Sequence, residues 1–161
     1  MGAKQFDYYI FIDYSENLLG YMIIEKSRIP EFLLKISKFA HYKELKHKSA
    51  YLHSIKKIIE KNMVLSYMLK IKIRKTTDTP EIYSDILEFL KEYDNCLIFI
   101  SVDNKQYSNF ERLVSIIDGK DIKVVKESDL REDTPEYKMS LVLDTLLNIE
   151  RLKYDKKKSR N

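Results

Sequence analysis

The residues "FDYYIFIDYSENLLGYMII" (6–24) decide the fold. Tyr8 to Ile12 form an unbroken apolar run that ends in a carboxylate, Asp13. A second run, residues 18–25, follows after the polar "SEN", so the pair reads as a β-hairpin. A strand apolar on both faces belongs inside a sheet. A strand-ending Asp is ordinarily turn chemistry, so other carboxylates have to decide whether Asp13 does more.

Beyond the hairpin the chain alternates. "SRIPEFLLKISKFAHY" (27–42) reads as a helix with Pro30 in its first turn and Ile29, Phe32, Leu33, Ile36, Phe39 and Ala40 on one stripe. After "KELKHK", Ser49 starts a second helix carrying Leu52, Ile55, Ile58 and Ile59. "MVLSYMLKIKIRK" (63–75) alternates apolar and polar residues, as a half-exposed strand towards an edge does. "TPEIYSDILEFLKEY" (79–93) is a helix in which Thr79 is the expected N-cap. "CLIFISVD" (96–103) is a strand; Phe110, Leu113, Val114 and Ile117 mark a helix capped by Gly119; and "DIKVVKE" (121–127) is a short strand. A second Thr-Pro-Glu, at Thr134, opens the last helix. The order β-β-α-α-β-α-β-α-β-α predicts an α/β fold, a mixed five-stranded sheet flanked by helices.

Length and composition set the frame. The 161 residues fit one domain, taken as residues 1–153 with a basic tail at 154–161. Hydrophobic residues at 44% and charged residues at 34% describe a globular chain. Lys/Glu richness fits a thermophile and equally an AT-rich genome. One cysteine, Cys96, excludes an intrachain disulfide and a zinc cluster. No apolar run reaches the ~20 residues of a membrane span, and "MGAKQF" lacks a signal-peptide core. The expectation is a cytoplasmic protein without a membrane partner. Association with further copies stays open.

Charge is segregated. Residues 26–77 hold fourteen Lys/Arg against three acidic residues, net +11, whereas residues 78–150 hold eight against seventeen, net −9. A solvated helix surface has this pattern, and so does a face that binds a polyanion.

Four carboxylates stand out. "YYIFID" and "LIFISVD" both end in Asp, at Asp13 and Asp103. On parallel neighbouring strands ~4.8 Å apart these two would meet at the carboxyl edge of the sheet, where sites of open α/β folds form. Asp144 lies within the apolar "MSLVLDTLLNI" and needs a partner, such as Arg151, or a cation. Glu44 is alone among Lys43, Lys46, Lys48, His41 and His47. Convergent carboxylates repel one another unless a cation neutralises them, and a hard divalent ion suits oxygen ligands. Independent turn-capping aspartates remain the other reading.

The stretches "FIDYSEN", "KELK", "ISVD" and "SLVLDTLL", in that order, resemble a family of uncharacterised RNase H-like proteins, domains of unknown function. Tyr14 stands where the family's first motif has Glu, and Glu16 is a possible substitute. The resemblance implies an RNase H-like sheet with Asp13 on its central strand and Asp103 on the parallel neighbour, Glu44 and Asp144 completing the cluster. It implies two Mg²⁺ or Mn²⁺ ions and hydrolysis of a phosphodiester in DNA or RNA. Lys43, Lys46, Lys48 and Lys105 would then hold the nucleic-acid backbone. The alternative is a domain of the same fold that binds nucleic acid or a protein without catalysis. Other enzyme classes lack support, because the chain has no glycine-rich phosphate loop and no G-x-S-x-G elbow. Its three histidines, spaced six apart, suit a metal site poorly.

Overall fold

The computed structural model describes residues 6–117 and 120–159. Strands β1 (Tyr8–Ser15), β2 (Leu18–Glu25), β3 (Lys70–Lys75), β4 (Cys96–Ile100) and β5 (Ile122–Lys126) form one sheet in the order β3-β2-β1-β4-β5. β1 is antiparallel to β2 and parallel to β4; β3 is antiparallel to β2, and β5 is parallel to β4. The hairpin and the "LIFIS" strand therefore occupy the sheet interior. Every residue of β4 is buried, as its apolar sequence requires.

Helices cover both faces. On one face α3 (Thr79–Glu92) and α4 (Asn104–Ser115) pack on Ile10, Ile12, Ile98 and Ile100. On the other, α5 (Pro135–Ser159) lies on Phe11, Met22 and Phe99, with α1 (Ile29–Lys35) and α2 (Lys48–Lys61) outside it. Residues 139–149 of α5 are covered nearly all round because sheet and helices enclose them. Their buried polar groups are partnered: Thr145 meets the Tyr51 hydroxyl at 2.8 Å, and Asn148 accepts from Ser15 at 3.3 Å. Gly20, opposite Asp13 in the ladder, lets β3 approach closely: a Cβ there would sit 2.9 Å from the Ile73 side chain and 3.0 Å from the Lys72 carbonyl oxygen.

The element order is the one expected, with local differences. α1 ends at Lys35 instead of running to Tyr42; the Asn62 side chain donates to the Lys35 carbonyl at 3.1 Å, while Ile36 and Phe39 reach the core from a turn. Residues 64–67 form a 3₁₀ turn entered through Met63 at φ 52°, which shortens the expected edge strand to Lys70–Lys75. Alternation alone does not separate a strand from a short turn that buries every third side chain. Thr79 does not cap α3, since its hydroxyl donates to the Thr76 carbonyl, whereas Thr134 does accept from the Tyr137 amide. α5 runs on to Ser159, so most of the expected tail is helix. The expected cap Gly119 lies outside the described residues.

Candidate functional site

Strand register builds the site. Ile12, Ile100 and Lys126 are abreast on β1, β4 and β5. The next residues, Asp13, Ser101 and Glu127, therefore form a row along the carboxyl edge of the parallel strands. Side chains alternate, so Asp13 shares the α5 face with Phe11, and Asp144 of α5 looks onto the same place. A cavity of about 380 Å³ opens here, lined among others by Asp13, Glu44, Ser101, Glu127 and Asp144.

The electrostatics are unbalanced. Asp13 is only 7% exposed. Burial pushes its carboxyl well above the usual carboxylate range, and the charges of Glu127 and Asp144 push it further. The Tyr14 amide, donating at 2.8 Å, and the Ser101 hydroxyl oppose that rise without cancelling it. Glu127 is raised for the same first reason, burial, with Asp144 adding to it and Ser101 and His41 working against it. The Ser101 hydroxyl favours the charged form of both carboxyls and Ser140 that of Glu127 as well, yet burial and the neighbouring acids still hold both above the usual range.

Asp144 is anchored from two sides. The Tyr42 amide donates to it at 3.1 Å and the Asn148 side chain at 3.4 Å. Arg151 does not pair with it, but turns to Asn148, Glu16 and Asp155. The amide of Tyr42 ties α5 to the 3₁₀ turn Tyr42–Glu44, and that turn sets Glu44 and Lys43 at the cavity rim.

The four carboxylates expected from the sequence do not all meet. Asp13, Glu44 and Asp144 share the cavity; Asp103 does not. It lies two residues past Ser101, exposed, where its carboxylate caps α4 by accepting from the Gln106 amide at 2.8 Å. Glu127 takes the place in the row expected of Asp103, the second strand-end acid. The sequence did carry a signal for it, since "IKVVKE" also runs from an apolar strand into a carboxylate. His41, expected only as a neighbour of Glu44, lines the cavity, and its buried Nδ1 has no hydrogen-bond partner among the described residues. Glu16, in the hairpin turn at φ 55°, points to Arg151 and does not line the cavity.

Tyr14 places its side chain on the opposite face, where its hydroxyl meets that of Tyr83 at 2.7 Å. A Glu at position 14 would face α3, not the cluster. Of the lysines, Lys43 lines the cavity, whereas Lys46, Lys48 and Lys105 are exposed outside it. Lys48 lies over the Tyr42 ring at 5.5 Å.

The donor set is one a hard divalent ion prefers: carboxylate oxygens, partly desolvated and mutually repelling. Among the described residues, no three His, Cys, Asp or Glu side chains are placed to hold a metal ion as they stand. The chemistry fits such an ion; the spacing is open.

No family model matches the chain, and no curated protein matches it by sequence. Its fold is similar to that of the RNase HII in the PCNA:RNase HII complex from Archaeoglobus fulgidus, with a TM-score of 0.52 and 11% identity over 94% of this chain and 76% of that one. At that identity the likeness is one of fold. The fold is RNase H-like α/β, a mixed five-stranded sheet flanked by helices. Among the described residues no helix is long and apolar enough to cross a membrane.

Proposed function

We propose that the chain is a divalent-metal-dependent nuclease whose site is Asp13, Glu44, Glu127 and Asp144. The observation that carries this reading is the buried, uncompensated carboxylate row at the strand edge. Nothing in an ordinary turn requires Asp13 to be desolvated beside two other acids. Asp103, exposed and engaged as a helix cap, is left out of the set.

Asp13, Glu127 and Asp144 would hold Mg²⁺ or Mn²⁺, with Glu44 reaching in from the rim. Bound there, a pair of such ions supplies an activated water and a charge on the leaving oxygen of a phosphodiester. The chain's own part is to position. The Tyr42 amide fixes one oxygen of Asp144, Ser101 orients the carboxyls beside it, and His41 offers a nitrogen able to hold a proton. Lys43 at the rim, and Lys46 and Lys48 further out, would attract the backbone of RNA or DNA, a contact that carries no sequence code.

A second reading, an RNase H-like domain that binds nucleic acid or a protein without cleaving, is favoured by the open spacing of the carboxylates. Calorimetry with Mn²⁺ on wild type and Asp13→Asn, paired with cleavage of labelled RNA, DNA and hybrid strands, separates the two. Metal binding and cleavage that are both lost in Asp13→Asn support the nuclease. Oligonucleotide binding with no metal uptake at about millimolar Mn²⁺ supports the second reading.

A further inference from the structure

Asp144 is held by Tyr42 and Asn148, and Arg151 reaches it only through these two. Asn148 is 3% exposed, and both ends of its side-chain amide are engaged. Its Oδ1 accepts from the Arg151 guanidinium at 3.1 Å and from the Ser15 hydroxyl at 3.3 Å. Its Nδ2 donates to the Asp144 carbonyl at 2.8 Å and to the Asp144 carboxylate at 3.4 Å. A guanidinium can only donate, and a backbone carbonyl can only accept. The reverse orientation of the amide would set donor against donor and acceptor against acceptor at a buried position, which is costly. Arg151 therefore settles which end of Asn148 faces Asp144.

Arg151 is itself held in place. Its side chain is 15% exposed and pairs with Glu16 at 3.8 Å and Asp155 at 3.6 Å. Its guanidinium carbon lies 5.9 Å from the centroid of the Tyr42 ring, and the Tyr42 amide donates to the other carboxylate oxygen of Asp144 at 3.1 Å. Arg151 thus meets both residues that hold Asp144. Ser15 follows Asp13 by two on β1 and shares its face, so Asn148 also ties α5 to the strand that carries Asp13. Neither Asn148 nor Arg151 lines the carboxylate cavity.

We infer that Asn148 and Arg151 are the positioning pair of the site: Arg151 sets the amide of Asn148, and that amide, with the Tyr42 N–H, aims Asp144 at Asp13 and Glu127. Each Asp144 oxygen then takes one hydrogen bond from outside the cavity and keeps a lone pair for a cation inside it. Arg151 stays one side chain away, so it orders the acid without occupying the oxygens that a direct, bidentate ion pair would take. Partners of this kind are worth about 10–100-fold in metal affinity. Toward a metal, the inference rests on the nuclease reading; the placement of Asp144 does not.

The test uses the full chain, with Mn²⁺ uptake read from loss of the free ion's electron paramagnetic resonance signal. Arg151→Met keeps the apolar stem and removes the donors. Asn148→Asp is nearly isosteric and keeps an acceptor for Arg151 and Ser15, but turns an oxygen on Asp144. Each variant makes the surroundings one charge more negative, so charge alone would tighten Mn²⁺ binding. Loss of positioning should instead weaken it by at least about tenfold in both. In the metal-free protein the Tyr42 amide reports where Asp144 is. Its hydrogen exchange, followed by NMR, should quicken about tenfold or more in Asn148→Asp, which leaves Arg151 over the Tyr42 ring. Circular dichroism checks folding, and Arg151→Met carries both readouts if Asn148→Asp does not fold. Mn²⁺ bound by the variants as tightly as by wild type, or more tightly, overturns the inference, and so does unchanged Tyr42 exchange. A wild type that takes up no Mn²⁺ overturns the nuclease reading instead, and the Tyr42 amide then decides the placement of Asp144 by itself.

Discussion

Asp13 stands one residue beyond the last pair of β1 with β4, and Glu127 one beyond the last pair of β5 with β4, with Ser101, the residue after β4, between them, and the charge of Glu127 helps drive the Asp13 carboxyl upward. Two acids separated by a single hydroxyl at a desolvated sheet edge are costly in a metal-free domain. That cost yields the first two predictions.

Replacing Asp13 by Asn should leave the metal-free protein as stable or more stable at neutral pH. The sign follows from the raised carboxyl. A group whose folded pKa lies above its unfolded value of 3.8 contributes stability that is complete below 3.8 and is lost as pH rises through the folded value. Wild type therefore gains on Asp13→Asn as pH falls through that window. Above it, the variant should melt a few degrees higher, with a gain of roughly 1 kcal/mol. Thermal unfolding of both proteins across pH measures the difference. A variant less stable at every pH would mean that Asp13 is held by favourable turn chemistry.

Mn²⁺ should raise the melting temperature of wild type and leave Asp13→Asn and Glu127→Gln unmoved. Asp103→Ala supplies the contrast. It removes the α4 cap, costing about 0.5–2 kcal/mol, but should keep the full Mn²⁺ shift. If Asp103→Ala loses the shift while Glu127→Gln retains it, the row of ligands is misassigned.

Tyr14→Glu places at position 14 the acid carried by the motif that this stretch resembles, and the outcome should be loss, not gain. The side chain at position 14 goes to the α3 face, where a carboxylate would replace the hydroxyl pair with Tyr83. A destabilisation of roughly 2–4 kcal/mol is expected, with no added metal affinity. Denaturant unfolding and Mn²⁺ calorimetry on the same sample decide it, and tighter Mn²⁺ binding would count against the side-chain direction described.

Lys46→Ala/Lys48→Ala should weaken oligonucleotide binding evenly across sequences and flatten the dependence of log affinity on log salt by about 2 for two lost phosphate contacts. Titrations at several salt concentrations measure the slope. An unchanged slope would make that loop a solvated surface only.

Much of this was legible in the chain. The order of ten elements, the hairpin, the central place of "YYIFID" and its parallel neighbour "LIFIS" follow from unbroken apolar runs, which need burial on both faces. The end of α1, the turn at 64–67 and the true role of Thr79 were not legible. Each depends on a contact from elsewhere in the chain or on a single backbone angle, as with Asn62 closing on Lys35 and Met63 at positive φ.

For the site, the sequence by itself determined that strands end in carboxylates and that α5 carries Asp144 among apolar residues. Which carboxylates meet was decided by register, a property of paired strands and not of any one of them. With Ile12 abreast of Ile100 and Lys126, the residues at the edge become Asp13, Ser101 and Glu127, while Asp103, two residues further, is free to cap a helix. Side-chain alternation turned Tyr14 away from the cluster, and Asp144 of α5 is held at the cavity by the Tyr42 amide, a contact from far along the chain. The physical reason is the same in each case. A residue's chemistry is written in the chain, but its neighbours across a sheet are fixed only when the ladder closes.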